Sequence, residues 1–457
     1  MPKFGKAEIR NLAKVIESGC FCDKRGGFMD KFRENFARDL KAKHAISGAT
    51  AMLLMHAIPG AIGAGPGDEI IVDPVVQFHA IACLHNNIIP VWADVRVDNF
   101  LMDPTSAEKK ITKRTKAIWV THLWGFPADV ERLRRIADKH NIYLLEDCAH
   151  AIFAKYKGKY LGNWGHFGTY SFNMGKQLPT GEGGMAITSD DKLAFELNRR
   201  IIFGESPEVL SSNYRMTEFE AAVGVEQLRK VPGYLKIYRQ GKKILDAAIK
   251  DCAWLDERKV LKGGNPAPYT WAAIFRGERK RIEYGVFKAA VKQAGGLFGF
   301  GFTQRPGYMY AMFRRPNAYN NKGCPYNCHM YKGNVNWKAG MCPKAEDVIP
   351  RLVTTSNMQL TMKAYKQRAA ILKKAIKLTE SGKVEPLEYT DLDKKILKLV
   401  KEHKQLEPIE VIGIFDKKGW GHYDEHSMFR QMENLREYFP YKLSHAGPRK
   451  YAYHDLS

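Results

Sequence analysis

Short apolar runs alternate with amphipathic stretches over the first half of the chain. Apolar residues at helical spacing predict helices from Phe28 to Leu40 and from Val130 to His140. The predicted strands are Ala45 to Ile46, Glu69 to Val72, Ile88 to Ala93, Ala117 to Thr121, Tyr143 to Glu146, Thr169 to Phe172 and Gly184 to Thr188. This alternation is typical of an α/β fold in which a mainly parallel sheet has helices on both faces.

Two polar segments come directly after predicted strands. Asp147 follows the apolar run 142–145, and the segment Ser47 to Thr50 lies between a strand and a helix-like stretch. Ligands of parallel sheets lie beyond the carboxyl ends of the strands. Small residues at a helix start expose backbone N–H groups, which favours a phosphate, although a simple turn with an N-cap is the alternative for this segment.

Lys176 precedes the glycine-rich turn Gly181 to Gly184 and lies 29 residues after Asp147. A lysine can form a Schiff base with the aldehyde of pyridoxal 5'-phosphate (PLP), and an aspartate can keep the pyridine nitrogen protonated. Taken singly, a solvated lysine and a capping aspartate are the ordinary interpretations. The PLP hypothesis therefore rests on the combination.

Seven short segments, in order, resemble those of the DegT/DnrJ-type sugar aminotransferases between about residue 30 and about residue 235. The resemblance implies fold type I, the aspartate-aminotransferase-like α/β fold with a smaller C-terminal α/β domain. The segments are Ser47 to Met52, Gly65 to Val72, Pro74 to Ala80, His122 to Asp129, Glu146 to His150, Ser171 to Gly184 and Asn213 to Glu218.

The resemblance also assigns roles to residues of this chain. It makes Lys176 the catalytic lysine and Asp147 the partner of the pyridine nitrogen. It places the cofactor phosphate at Gly48, Ala49, Thr50 and Ser171, although Ala49 departs from the family's threonine. It stacks Phe78 on the ring, lets His150 bond the phenolic oxygen, and brings Asn213 to the phosphate from a neighbouring subunit.

The implied activity is amino transfer from glutamate or glutamine to a nucleotide-linked or phosphorylated keto-sugar, by a ping-pong mechanism, in aminosugar biosynthesis. The segment Met341 to Glu346 resembles members that act on keto-cyclitols or unactivated ketoses, which is the alternative. The implied assembly is a homodimer with shared active sites. A non-catalytic regulatory or nucleic-acid-binding protein on the same fold is the alternative from another class, and nucleic acid is not the expected partner.

The formal net charge of +23 lies entirely before residue 381, because the remainder has 13 basic and 13 acidic residues. No acidic residue occurs between Glu283 and Glu346, where nine basic residues and several aromatics occur. Such a segment attracts anions, although a solvated loop is the alternative. We therefore name Tyr308 and Arg314 of this segment, together with Arg215 of the segment Asn213 to Glu218, as candidate substrate residues.

For the 457 residues we predict three parts, which are a PLP-binding part at 1–250, a smaller domain at 251–380 and an appended element at 381–457. In the last part, Thr390 and Asp393 are expected to cap a helix through Val400. Apolar patterning predicts a strand at 409–415 and another helix at 427–438. The sequence does not indicate a chemical role for this element.

Eight cysteines in a chain of this length do not indicate a disulfide framework. A zinc site from Cys324, Cys328, His329 and Cys342 is an alternative, but the spacing differs from the usual patterns, so we expect reduced thiols and no metal. No run of 18 apolar residues and no apolar leader is found, which predicts a cytoplasmic protein.

Overall fold

A computed structural model describes residues 4–22, 25–204, 206–303, 305–314, 323–356, 361–384, 391–403, 405–406, 408–420, 427–428, 431–432, 443–447 and 450–453. Contacts divide the chain into two compact units. The first comprises 1–246, 257–273 and 301–366, and the second comprises 247–256, 274–300 and 367–457. The predicted boundaries at 250 and 380 stay predictions. No helix in the described ranges has the length and apolar character needed to cross a bilayer.

The first half of the chain alternates helices and strands as predicted. The helices are α1 (Lys6–Ser18), α2 (Phe28–Leu40), α3 (Ala51–Ala61), α4 (Phe78–His85), α5 (Pro104–Lys109), α6 (Val130–Lys139), α7 (Asp191–Ile201) and α8 (Glu218–Ile249). The strands are β1 (His44–Gly48), β2 (Glu69–Val72), β3 (Ile89–Trp92), β4 (Thr115–Thr121), β5 (Tyr143–Asp147), β6 (Lys155–Tyr156), β7 (Lys159–Tyr160), β8 (Phe167–Ser171) and β9 (Gly184–Thr188).

Shorter elements follow. The strands are β10 (Leu255–Glu257), β11 (Gly264–Asn265), β12 (Thr270–Phe275), β13 (Gly299–Phe300), β14 (Leu352–Ser356), β15 (Gln405–Leu406), β16 (Leu443–Gly447) and β17 (Lys450–Tyr453). The helices are α9 (Tyr284–Ala294), α10 (Ala311–Arg314), α11 (Pro343–Val348), α12 (Met362–Glu380), α13 (Asp391–His403) and α14 (Pro408–Lys418).

The central sheet of the first unit has seven strands in the order β1-β9-β8-β5-β4-β2-β3. The pairs β2–β3, β2–β4, β4–β5 and β5–β8 are parallel, and β9 runs antiparallel to both neighbours. Helices α2, α3, α4, α6 and α7 contact its strands. The predicted α/β fold with a mainly parallel sheet is confirmed.

Strand and helix formation follow from local sequence. All four residues of β2 are buried, which explains its continuous apolar run, because a strand covered on both faces need not alternate. Helix α3 begins where the hydroxyl of Thr50 accepts the Leu53 N–H at 3.0 Å. Helix α7 begins in the same way at Asp190. Strand ends and helix starts therefore follow one another closely at the sheet edge.

The predicted strand at 409–415 is wrong, because these residues lie within helix α14. A short apolar run does not by itself distinguish a strand from a buried helix. Pro408 at the first helical position and Lys417 and Lys418 in the last turn suit a helix. The predicted helix through Val400 is confirmed as α13, while Thr390 lies outside the described residues.

Candidate active site

The carboxyl ends of β1, β5 and β8 meet at one edge of the central sheet, beside the start of the antiparallel β9. A cavity of about 350 Å³ opens there. It is lined by Thr50, Ala51, Met52, Met55, Val76, Phe78, Asp147, Ala149, His150, Ser171, Asn173, Lys176 and Glu182. The fold therefore brings together the lysine and the aspartate that sequence separates by 29 residues.

Lys176 and Asp147 both lie in this cavity without an ion pair among the described residues. Burial lowers the pKa of the Lys176 amine, while the charges of Asp147 and Glu182 act in the opposite direction. Burial raises the pKa of the Asp147 carboxyl, which accepts the Ala149 N–H at 2.9 Å and no other hydrogen bond from the described part of the chain. A buried carboxylate without a cationic partner favours the binding of a cationic group.

His150 is held as a neutral imidazole. Its Nδ1 accepts the Trp124 N–H at 3.4 Å, so the proton lies on Nε2. Burial lowers its pKa well below the usual value, and the charges of Lys176 and Arg258 act in the same direction. Its ring stacks on that of Tyr269, with centroids 4.3 Å apart. The histidine can therefore donate one hydrogen bond into the cavity.

Tyr269 is a site residue that sequence reasoning missed. Its ring lies under both His150 and Lys176, whose amine is 5.2 Å from the ring centroid. Its N–H donates to the carbonyl of Trp124 at 2.9 Å. No spacing or motif connects Tyr269 to Lys176, so only the tertiary structure could reveal it.

Phe78 is 50% exposed at the start of α4 and borders the cavity. An exposed aromatic at this place has an apolar face free for a ring. The ordinary alternative, a core phenylalanine, does not fit this exposure. Its placement is consistent with the stacking role that the resemblance implied.

The start of helix α3 offers backbone donors to the cavity, directly after Thr50, which the resemblance implied and which lines the cavity. Gly48 and Ala49 are not among the lining residues, and the Ala49 N–H donates to the carbonyl of Tyr214 at 2.8 Å. The Ala51 and Met52 N–H groups are the first two of α3 and have no hydrogen bond within the described ranges. With Ser171, they form a place for an anion at a helix N-terminus.

The remaining predicted residues lie away from this cavity. Asn213 accepts a hydrogen bond from Arg215 at 3.1 Å, and neither lines the cavity. Tyr308 is fully buried and its hydroxyl donates to Glu346. Burial raises the pKa of Tyr308. The side chain of Arg314 lies outside the described residues.

His122, Glu146 and Cys148 are buried together behind the cavity at distances a metal would need. Hydrogen bonds account for the burial of His122 and Glu146 without a metal. Glu146 accepts from His122 Nε2 at 2.9 Å and from two backbone N–H groups, while His122 Nδ1 accepts the Ala128 N–H. No second group of this kind occurs within the described ranges, so Cys324, Cys328, His329 and Cys342 are not brought together.

A family model for the DegT/DnrJ/EryC1/StrS aminotransferases matches residues 2–339. The chain belongs to this family. The suspected resemblance is thus confirmed, and PLP is the cofactor of the DegT/DnrJ/EryC1/StrS family. The matched range contains every residue that lines the cavity.

Individual members of the family give a finer comparison. GDP-perosamine synthase of Vibrio cholerae is 32% identical over 52% of this chain and 66% of its own length. The L-glutamine:2-deoxy-scyllo-inosose aminotransferase of Streptomyces kanamyceticus is 33% identical over 57% of this chain and 66% of its own. Both matches span slightly less than two thirds of the relative.

The fold is shared with solved structures. An aminotransferase from Psychrobacter cryohalolentis superposes with a TM-score of 0.73 and 24% identity, covering 83% of this chain and 98% of that one. At this identity the likeness establishes the fold alone. The predicted fold type I is confirmed.

Proposed function

We propose that this protein is a PLP-dependent aminotransferase that moves an amino group from glutamate or glutamine to a keto-sugar. The observation that carries the proposal is that the half-buried Lys176 and the buried Asp147 line one cavity of about 350 Å³, without an ion pair among the described residues. A catalytic amine and an acid at a strand end are what PLP chemistry requires.

The residues present fit the cofactor. Lys176 would hold the aldehyde carbon and Asp147 the pyridine nitrogen. His150 Nε2–H would bond the phenolic oxygen, and the Ala51 and Met52 N–H groups with the Ser171 hydroxyl would hold the phosphate. Phe78 would cover the ring. When bound, PLP supplies an electron-accepting ring that stabilises negative charge at the donor's α-carbon.

Lys176 has the properties of a proton carrier in this site. Because burial lowers its pKa, a larger fraction of its amine is neutral than at a surface lysine, and a neutral amine can attack a carbonyl carbon. The same neutral amine would be placed to take the proton from the donor's α-carbon and to return it to the C4′ carbon of bound PLP. Two successive half-reactions through one site give ping-pong kinetics.

The acceptor is proposed to be a nucleotide-linked or phosphorylated keto-sugar, with a keto-cyclitol as the second candidate. Of the two relatives above, the first is named for a GDP-linked sugar and the second for an inosose. The segment Met341 to Glu346, which suggested the cyclitol, is held through backbone N–H groups of Lys344 and Ala345 that donate to Asp94. Parallel assays with a GDP-linked 4-keto-sugar and with scyllo-inosose would distinguish the two acceptors.

An absorbance spectrum with PLP tests the cofactor and the donor. We expect a visible band near about 400 nm that L-glutamate or L-glutamine shifts to the near ultraviolet. Lys176→Ala should lose the band while keeping the fold by circular dichroism, and Lys192→Ala in α7 is a matched control. A wild-type protein that gives no band at any PLP concentration would overturn the proposal.

We further propose a homodimer in which Asn213 completes the partner's site. In support, Asn213 does not line the cavity of its own chain, and the preceding segment exposes Phe203 (72%) and Leu210 (97%). Exposed apolar side chains in one segment mark a contact surface.

Mixing two inactive variants tests this sharing. A hybrid of Lys176→Ala and Asn213→Ala subunits has one site with both native residues if the site is shared. Activity should then return on mixing. If each subunit uses its own Asn213, every site in the hybrid carries one defect and no activity returns.

A further inference from the structure

The C-terminal residues 391–453 form a cluster of helices and strands beyond the range that the family model matches. The order is α13, β15, α14, a pair of short helical stretches at 427–428 and 431–432, then β16 and β17. The three strands form an antiparallel sheet in the order β15-β17-β16. The first strand thus pairs with the last, and the last two form a hairpin.

This segment has a hydrophobic core of its own. Helix α13 contributes residues at helical spacing, α14 contributes three, and Met428 and Met432, four apart, contribute a third helical face. A side-chain bond from Gln431 to Asp393, at 2.5 Å, joins this third stretch to α13. The core residues are Ile396, Leu397, Leu399, Val400, Leu406, Val411, Ile412, Phe415, Met428 and Met432.

The described elements follow the order of a winged helix-turn-helix module, which is a helix, a strand, a second helix, a further helical part and a hairpin, with β15 paired to β17. In helix-turn-helix proteins the helix after the turn enters the major groove of DNA. Here that position belongs to residues 427–438, which the sequence predicts to be helical. The β16–β17 hairpin corresponds to the wing.

The distribution of charge favours a polyanion at the hairpin. Residues 381–457 are neutral as a whole, with 13 basic and 13 acidic residues. Between Glu437 and Asp455, however, there is no acidic residue, while Lys442, Arg449 and Lys450 are present. Cations gathered at one part of a neutral segment suit phosphates along a duplex.

We propose that residues 391–453 are a winged-helix module that binds duplex DNA. The helical stretches at 427–428 and 431–432 mark the groove-reading helix, and the β16–β17 hairpin provides the phosphate contacts. This activity is additional to amino transfer and does not depend on it, because none of these residues lines the PLP cavity.

Fluorescence anisotropy of the full-length protein with a labelled duplex of about 30 base pairs of mixed sequence tests this proposal. Binding should weaken as salt rises from about 50 to about 200 mM, because released counterions drive phosphate contacts. Arg449→Ala with Lys450→Ala should reduce the slope of log affinity against log salt by about 2, one for each lost cation. Arg449→Lys with Lys450→Arg keeps both charges and should keep the slope.

A second variant distinguishes DNA binding by the module from DNA binding by the basic surface of the first unit. Lys113 and Lys116 line a polar cavity of about 950 Å³ in that unit. Lys113→Ala with Lys116→Ala should leave DNA binding unchanged. If this pair abolishes binding, or if the native protein shows none at about 50 mM salt, the DNA proposal is overturned, and a protein partner becomes the candidate for the module. Circular dichroism of each variant checks that the helices persist.

Discussion

The imidazole of His150 stacks on the phenol ring of Tyr269, with ring centroids 4.3 Å apart and planes at 16°. The Lys176 amine lies over the same phenol ring, 5.2 Å from its centroid. One aromatic residue thus touches the proposed catalytic lysine and the proposed hydrogen-bond donor to the cofactor. Tyr269 in turn is fixed by its N–H bond to Trp124, whose own N–H donates to His150.

Removing the Tyr269 ring should weaken cofactor binding. A stacked aromatic pair contributes about 0.5–1.5 kcal/mol, so Tyr269→Ala should bind PLP about 2- to 10-fold more weakly. Tyr269→Phe keeps the ring and should bind PLP as the native protein does. Absorbance titration with PLP measures both. Equal affinity of the alanine and phenylalanine variants would show that the stack does not position His150.

The lowered pKa of Lys176 predicts a pH dependence of stability without PLP. In the folded state the amine loses its proton at a lower pH than in the unfolded chain, whose pKa is near 10.5. Between these two values the unfolded state binds more protons, so this residue's contribution to stability rises with pH. The free energy of unfolding of the native protein minus that of Lys176→Met should therefore become more positive as pH rises through this window. Urea unfolding at several alkaline pH values measures it, and a constant difference would contradict the burial of the amine.

Arg258 should be a major stabilising residue near the site. Its buried guanidinium lies 4.0 Å from the ring centroids of Phe100 and Phe126, and it donates to the carbonyls of Asn99 and Leu123. Burial lowers its pKa. Because an ammonium cannot reproduce this planar stacking and forked donation, Arg258→Lys should lose at least one charged hydrogen bond, about 1.5–3 kcal/mol.

Urea denaturation measures the effect of Arg258→Lys. Arg229→Lys is the matched control, since Arg229 is exposed on α8 and pairs only with Glu226 one turn away among its described contacts. Its change should stay within about 0.5 kcal/mol. Similar effects of the two substitutions would contradict a structural role for Arg258.

Gly125 should not tolerate a side chain. Its φ is +83°, and an added Cβ would lie 1.8 Å from the Ala267 carbonyl oxygen and 2.8 Å from that of His150. The left-handed conformation alone costs an L-residue about 1–2 kcal/mol, so Gly125→Ala should lose more than about 2 kcal/mol and disturb PLP binding. Gly65→Ala, with open space around it, should be neutral. Thermal unfolding with and without PLP would show whether stability and site are affected together.

The sequence by itself determined the α/β alternation, placed Asp147 at a strand end and placed Lys176 before a glycine-rich turn. These signals are local, since periodicity, glycine turns and strand ends depend on neighbouring residues. It gave a wrong strand for 409–415, because a short apolar run suits a strand or a helix, and the core around Val411 and Phe415 selects the helix.

Only the tertiary structure decided which residues surround the lysine. It brought Tyr269 under His150, lined the cavity with Ala51 and Met52 instead of Gly48 and Ala49, and buried Tyr308 away from the cavity. The pairing of β15 with β17 likewise joins residues more than 40 positions apart. Such contacts depend on how distant segments pack, and no local pattern encodes that packing.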